Sequence, residues 1–182
     1  MKCIILCAAL LSLGACEDRS ARVMREIEQQ EQREAAMAQS HAQDSTHFID
    51  AAKARAGAIV SASGLVYEFV RHSASPNLPH PTPTSNVKVN YEGSLIDGTV
   101  FDSSFERGEP AEFPLDQVVA GFSEAIQQMA PGDEVIATFP AALGYGPEGH
   151  PPAIPRDATL QFRIQLLSFE GPNGRTIQAP RG

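Results

Sequence analysis

Tryptophan is absent from the 182 residues, and no cysteine occurs after position 16. The three cysteines, Cys3, Cys7 and Cys16, crowd the N-terminus, which excludes disulfides and thiolate metal sites from everything that follows. Basic residues are outnumbered, 14 Lys+Arg against 22 Asp+Glu, for a formal net charge of −8. Without a basic patch or block, nucleic acid is not expected as a partner. No apolar run reaches the roughly 20 residues that a membrane-spanning helix needs. A glycine-rich phosphate loop is missing, as is a His pair at metal-ligand spacing on a helix. The five histidines (His41, His47, His72, His80 and His150) are scattered, and no nucleophile–base arrangement can be assembled from local sequence.

The first segment that is present is an apolar stretch, Cys3 to Leu13, behind a single lysine, Lys2. Its length fits the core of a signal peptide rather than a transmembrane helix. It ends in Leu13-Gly14-Ala15-Cys16, which resembles the bacterial lipobox and implies cleavage before Cys16 and lipidation of that cysteine. The alternative is an ordinary secretory signal, with Cys16 there by chance. Glu17 follows instead of the Asp that often signals inner-membrane retention, so resemblance to bacterial lipoproteins leans toward the outer membrane, facing the periplasm.

From Glu17 to about Ala42 the composition is Glu, Gln, Arg and Ala, good helix formers. Val23, Met24, Ile27 and Met37 do not make a continuous apolar face, so a solvated stalk is the favoured reading and a short dimerisation helix the alternative. A second helix is expected with Thr46 as its cap and Gly57 past its end. Strand character begins near Leu65 to Arg71, read as an edge strand. Four prolines between Ser75 and Ser85 require an extended loop. Asn86 to Tyr91 alternates, Asp97-Gly98 marks a turn into Thr99 to Ser103, and Phe122, Ile126 and Met129 share one helical face that Pro131-Gly132 ends. Glu134 to Phe139 reads as a strand, and Ala142 to Pro155 as a Gly/Pro-rich loop. Leu160, Phe162, Ile164 and Leu166 alternate with polar residues in a last strand. The sum is α+β: a mostly antiparallel sheet with one short helix on its apolar face. Residues 1–15 are expected as leader, 16–62 as helical stalk or linker, 63–169 as the folded domain and 170–182 as a flexible tail.

Aromatic and aliphatic residues gather beside turns in Val89-Asn90-Tyr91-Glu92-Gly93, in Asp97 through Ser104, and in Val118-Val119-Ala120-Gly121-Phe122. Gly144-Tyr145-Gly146 and Ala158-Thr159-Leu160-Gln161-Phe162 follow in register. Over Asn86 to Phe169 these motifs resemble the FKBP family of peptidyl-prolyl cis/trans isomerases. The stretch from Phe48 through Ser63-Gly64-Leu65-Val66-Tyr67 resembles the linker of its exported bacterial, Mip-like members. The resemblance implies an antiparallel β half-barrel wrapped around one short helix, with an N-terminal helical extension. It places Tyr91, Phe101, Val118, Val119, Phe122, Ile154 and Phe162 around a hydrophobic pocket. Asp102 and Tyr145 become its polar groups, and His150 falls in an overhanging loop. Phe113, or else Ala111, stands where the family carries another pocket aromatic. Phe122 occupies a floor position where many members have Trp.

The resemblance further implies proline-containing polypeptides as substrates, macrolides such as tacrolimus as inhibitors, and no cofactor. The residues taken singly also fit plain core roles, since buried aromatics are common in small sheet domains, and Asp102 has the alternative of bracing a turn. Two functions are therefore expected: an isomerase assisting the folding of exported proteins, or a proline-peptide-binding chaperone or surface adhesin with little catalysis.

Overall fold

The computed structural model describes residues 14–75, 77–171 and 173–179, with side chains from residue 19 onward. The expected leader lies outside the described residues, as does the side chain of Cys16. The chain divides into two units, Met1–His41 and Ala42–Gly182.

Helix α1 runs over Gly14–Lys53, so the two helical pieces read from sequence are one. No glycine or proline interrupts Glu17 to Lys53. Thr46 does not cap: its hydroxyl donates to the Ala42 carbonyl at 2.8 Å, four residues back within the helix. From Arg19 to Ser40 every residue of the helix is exposed, Val23, Met24, Ile27 and Met37 included. Among the described residues no helix is long and apolar enough to cross a membrane. Past the helix, Gly57 adopts φ +82, a left-handed conformation natural to glycine at a helix exit.

Eight strands form an open antiparallel sheet. They are β1 (Ile59–Val60), β2 (Val66–Arg71), β3 (Asn86–Leu95), β4 (Val100–Ser103), β5 (Ala111–Pro114), β6 (Glu134–Phe139), β7 (Leu160–Glu170) and β8 (Thr176–Gln178). The order is β1-β2-β6-β7-β3-β4, with β5 paired to β3 and β8 to β7. Period-two alternation predicts β3 and β7 because each has one face on the core, whereas β6 is buried along both faces, with Ile136 half-buried. In β7, Leu160, Phe162, Ile164 and Leu166 are buried while Arg163 is exposed. The expected edge strand β2 has only the two-residue β1 outside it, so Phe69 and Arg71 pair on one side, with β6. Asp97-Gly98 turns as read: the Gly98 N–H donates to the Leu95 carbonyl at 3.0 Å, and the Asp97 carboxylate accepts from the Thr99 N–H at 2.9 Å.

Several elements depart from the reading. Besides α3 (Ala120–Gln127) there is a single-turn helix α2 (Ser104–Arg107), whose Ser103 side chain accepts from the Glu106 N–H at its start. Strand β5 is too short for periodicity to reveal; its pairing is set by β3, through Val87 opposite Phe113 and Val89 opposite Ala111. The tail expected to be loose contains β8, whose Ile177 lies opposite Phe169 and packs against the core. Three residues of mostly polar sequence carry no local strand signal, and the neighbouring strand supplies it.

The core sits between the sheet's apolar face and α3, which contributes Phe122, Ala125 and Ile126, followed by Met129; all are at most 4% exposed. Burying each such side chain stabilises by about 1.5–3 kcal/mol. The helix approaches the sheet closely because Gly121 has no side chain: a Cβ there would stand 2.5 Å from the Phe139 ring.

Candidate active site

Helix α3 faces one end of the sheet across a row of aromatic rings. Strand β3 brings Tyr91, β4 brings Phe101 and Asp102, β5 brings Phe113 and β7 brings Phe162. A 3-10 turn at Leu115–Gln117 then carries the chain through Val118 and Val119 into α3, where Phe122 points back at the sheet. Tyr145 closes the ring from between two further 3-10 turns, Ala141–Leu143 and Gly146–Glu148. These residues and Gln117 line one cavity of about 270 Å³.

The cavity wall is built of edge-to-face aromatic contacts. Phe122 meets Phe162 at a centroid distance of 5.0 Å and Tyr91 at 5.7 Å, while Phe101 meets Phe162 at 5.5 Å. Such pairs contribute about 0.5–1.5 kcal/mol beyond area burial and prefer this geometry. Phe113 lies 5.7 Å from Phe122. Behind Phe162, Phe139 stacks at 5.7 Å with the planes 10° apart. Phe122 and Phe162 are 4% and 5% exposed, so the cavity has a dry floor while Tyr145, at 39%, stands at its mouth.

One wall carries a hydrogen-bonded polar cluster. The Tyr91 hydroxyl donates to one Asp102 carboxylate oxygen and the Arg107 guanidinium to the other. The same guanidinium donates to the Tyr91 hydroxyl oxygen at 3.1 Å and lies 5.6 Å over the Tyr91 ring. Burial pushes the Tyr91 phenol above its usual range, as does its hydrogen bond to Asp102, and Arg107 opposes both. Tyr145 is raised as well, by burial and then by the Asp102 charge. These interlocked groups fix the orientation of the Asp102 carboxylate. At the opposite rim Val119 is the N-cap of α3, and the N–H groups of a helix's first turn lack intrahelical acceptors.

Nine of the ten pocket residues expected from sequence, namely Tyr91, Phe101, Asp102, Phe113, Val118, Val119, Phe122, Tyr145 and Phe162, line the cavity together. Ile154 does not. It is 2% exposed and belongs to the core, and its backbone is tied to His150 by two hydrogen bonds of 2.8 and 2.9 Å. His150 is exposed, with its ring stacked on Tyr145 at 5.5 Å. Phe113, rather than Ala111, is the aromatic at the cavity. Sequence reasoning passes over Arg107 and Gln117. Arg107 follows Asp102 by five residues, across a helical turn invisible to periodicity. Gln117 carries no signal beyond preceding Val118. Among the described residues no group of three His, Cys, Asp or Glu side chains is placed to hold a metal.

Comparison with known proteins agrees with this geometry. The model of the family described as FKBP-type peptidyl-prolyl cis-trans isomerase matches residues 79–167, and that of the domain amino terminal to FKBP-type peptidyl-prolyl isomerase matches residues 12–69. The peptidyl-prolyl cis-trans isomerase Mip of Coxiella burnetii is 40% identical over 71% of this chain and 55% of its own length. The outer membrane protein MIP of Legionella longbeachae is 39% identical over 68% of this chain and 52% of its own. The crystal structure of FkpA from Escherichia coli superposes with a TM-score of 0.67 and 30% identity, covering 92% of this chain and 75% of that one. The chain spans about half the length of the curated relatives it matches, 55% of the Coxiella protein for example. By sequence match, sheet topology and the aromatic cavity together, the chain belongs to the FKBP-type peptidyl-prolyl cis-trans isomerase family.

Proposed function

We propose that the protein is a peptidyl-prolyl cis/trans isomerase that assists the folding of exported polypeptides, with the aromatic cavity as its active site. The observation that carries this reading is the dry floor of Phe122 and Phe162 beside the polar cluster of Tyr91, Asp102 and Arg107, since that contrast is what amide rotation requires. The barrier to rotation, roughly 18–20 kcal/mol, comes from resonance that gives the C–N bond partial double-bond character. A twisted amide loses that resonance and part of its charge separation. A water-poor aromatic cavity therefore favours the twisted form over the planar one, which water solvates better.

In this reading the proline ring rests on Phe122 between Phe101 and Phe162. The Val119 N–H and the Tyr145 hydroxyl each donate to a substrate carbonyl. Asp102, held by Tyr91 and Arg107, orients the polar wall and abstracts no proton. No covalent intermediate forms, and no cofactor takes part. Macrolides such as tacrolimus would compete for the same cavity.

Cys16 is the lipidation site in the same proposal. A lipid there anchors the protein in the cell envelope, on the outer membrane facing the periplasm, and the helix before His41 serves as a solvated stalk. The apolar Val23, Met24 and Ile27, all about half exposed, leave self-association through that helix as the alternative. Intact mass of the protein recovered from membranes tests the anchor, and an unmodified, freely released chain would overturn it.

The decisive test is cis-to-trans isomerisation of a short X–Pro peptide by the purified protein, with and without tacrolimus. Catalysis suppressed by the drug supports the proposal. A folded protein that binds proline peptides without accelerating them is instead a chaperone or adhesin module.

A further inference from the structure

One side chain of the cavity wall takes no part in holding that wall together. Tyr91 and Asp102 are committed to each other and to Arg107. Gln117 lines the same cavity and is exposed, and its carboxamide makes no hydrogen bond to another described residue. Its backbone is nonetheless fixed. Leu115, two residues earlier in the same 3-10 turn, is 1% exposed, and its N–H donates to the Ser85 carbonyl at 3.0 Å. Two residues later Val119 opens α3. Gln117 is thus an anchored, uncommitted group on the cavity wall that also carries Val119.

A carboxamide offers one acceptor oxygen and two N–H donors, a set complementary to a single peptide unit. The X–Pro bond has no N–H of its own, so any main-chain donor from the substrate must come from a residue flanking that bond. Asp102, the acceptor on the far wall, already receives two donors from the protein. Resting on the isomerase reading, we infer that Gln117 is a substrate-binding residue whose side-chain amide pairs with the main-chain amide flanking the X–Pro bond. The site then recognises an extended polypeptide through its backbone as well as a proline ring through its apolar face. Such a contact is indifferent to side-chain identity, which suits a broad range of unfolded clients.

The pairing is made in ground state and transition state alike, so its loss raises KM and leaves kcat nearly unchanged. One or two net hydrogen bonds correspond to about a threefold to tenfold change in kcat/KM. The experiment compares wild type with Gln117→Ala and Gln117→Glu on an X–Pro peptide. Two further peptides carry an ester oxygen in place of the N–H of X or of the N–H of the residue after the proline. Wild type should lose about threefold or more on one of the esters. Gln117→Ala should show the raised KM and no further loss on that ester. Gln117→Glu, which keeps the acceptor, should stay sensitive to it. Thermal unfolding should be the same for all three proteins.

An active wild type whose KM is untouched by Gln117→Ala overturns the inference, as does a Gln117→Ala variant that is as ester-sensitive as wild type. A wild type that binds these peptides without turnover overturns the isomerase reading alone, and Kd values across the same series then decide on Gln117 by the same criterion. A wild type that neither binds nor turns over the peptides overturns both.

Discussion

Gly93 lies directly against the rings of Phe101 and Phe162: a Cβ at position 93 would stand 2.6 Å from the first and 2.7 Å from the second. The cause is in the strand register. Gly93 of β3 pairs with Asp102 on one side and Phe162 on the other, so two large side chains converge over the one residue that leaves them room. The edge-to-face contact between those rings depends on the missing methyl group.

Gly93→Ala should therefore displace the cavity wall. Overpacking of this kind costs about 1–3 kcal/mol, and urea unfolding should register that loss. Isomerase activity should fall by about tenfold or more, because small displacements of a positioned wall are costly to catalysis. Unchanged activity and stability would mean that the rings relax freely.

Asp102 and Arg107 should differ in weight. Asp102→Ala removes the acceptor of both the Tyr91 hydroxyl and the guanidinium, and kcat/KM should fall by about tenfold. Arg107→Ala should cost about threefold or less, since both side chains of that ion pair are 43% exposed and exposed pairs contribute little. Peptide isomerisation kinetics of the two variants give the ranking, and a larger loss for Arg107→Ala would reverse the assignment of the orienting group.

Stability outside the cavity rests on Asp133, which is 5% exposed. Its carboxylate accepts the Ser73 N–H at 2.6 Å and the Ala130 N–H at 2.7 Å, and so ties the segment after β2 to the turn before β6. Asp133→Ala leaves two main-chain donors without an acceptor, and chemical denaturation should show a loss of about 2–4 kcal/mol. Asp133→Asn keeps one acceptor and should recover part of it.

All three tyrosines of the chain are pushed above the ordinary phenol range in the folded protein. Burial is the first cause in each case. The Glu124 charge adds to it at Tyr67, and Asp102 adds to it at Tyr91 and Tyr145. A group raised in the folded state contributes stability that is fully present below its unfolded value and lost as pH rises through its folded value. Phenolate absorbance of the native protein should accordingly appear at higher pH than that of the chain unfolded in denaturant. Unfolding free energy should decline above pH 10 over the same range. Asp102→Asn should draw the native curve back toward the unfolded one, and coincident curves for the native and unfolded protein would refute the environment described for all three.

Much of this protein is legible in its sequence because burial imposes a period. Strands β3 and β7 and helix α3 each put one face on the core, so their apolar residues recur every second position or at three- and four-residue steps. Turns such as Asp97-Gly98 announce themselves through residues whose backbone freedom they need. The family motifs, read in register, brought nine cavity residues to notice before their proximity was visible. Other features had no local signature to read. The short strands β5 and β8 exist because a neighbour offers hydrogen bonds, not because Ala111–Pro114 or Thr176–Gln178 favours extension alone. Thr46 looks like a cap, yet the uninterrupted helix turns its hydroxyl to a carbonyl one turn back. Ile154 matches a pocket position in order along the chain but is drawn into the core by its pairing with His150. Arg107 and Gln117 reach the cavity only through the helical turn and the 3-10 turn that carry them. Local sequence determines which residues are buried and where the chain can turn; which polar side chains meet across the cavity is decided by strand register and loop path, which depend on contacts far apart in sequence.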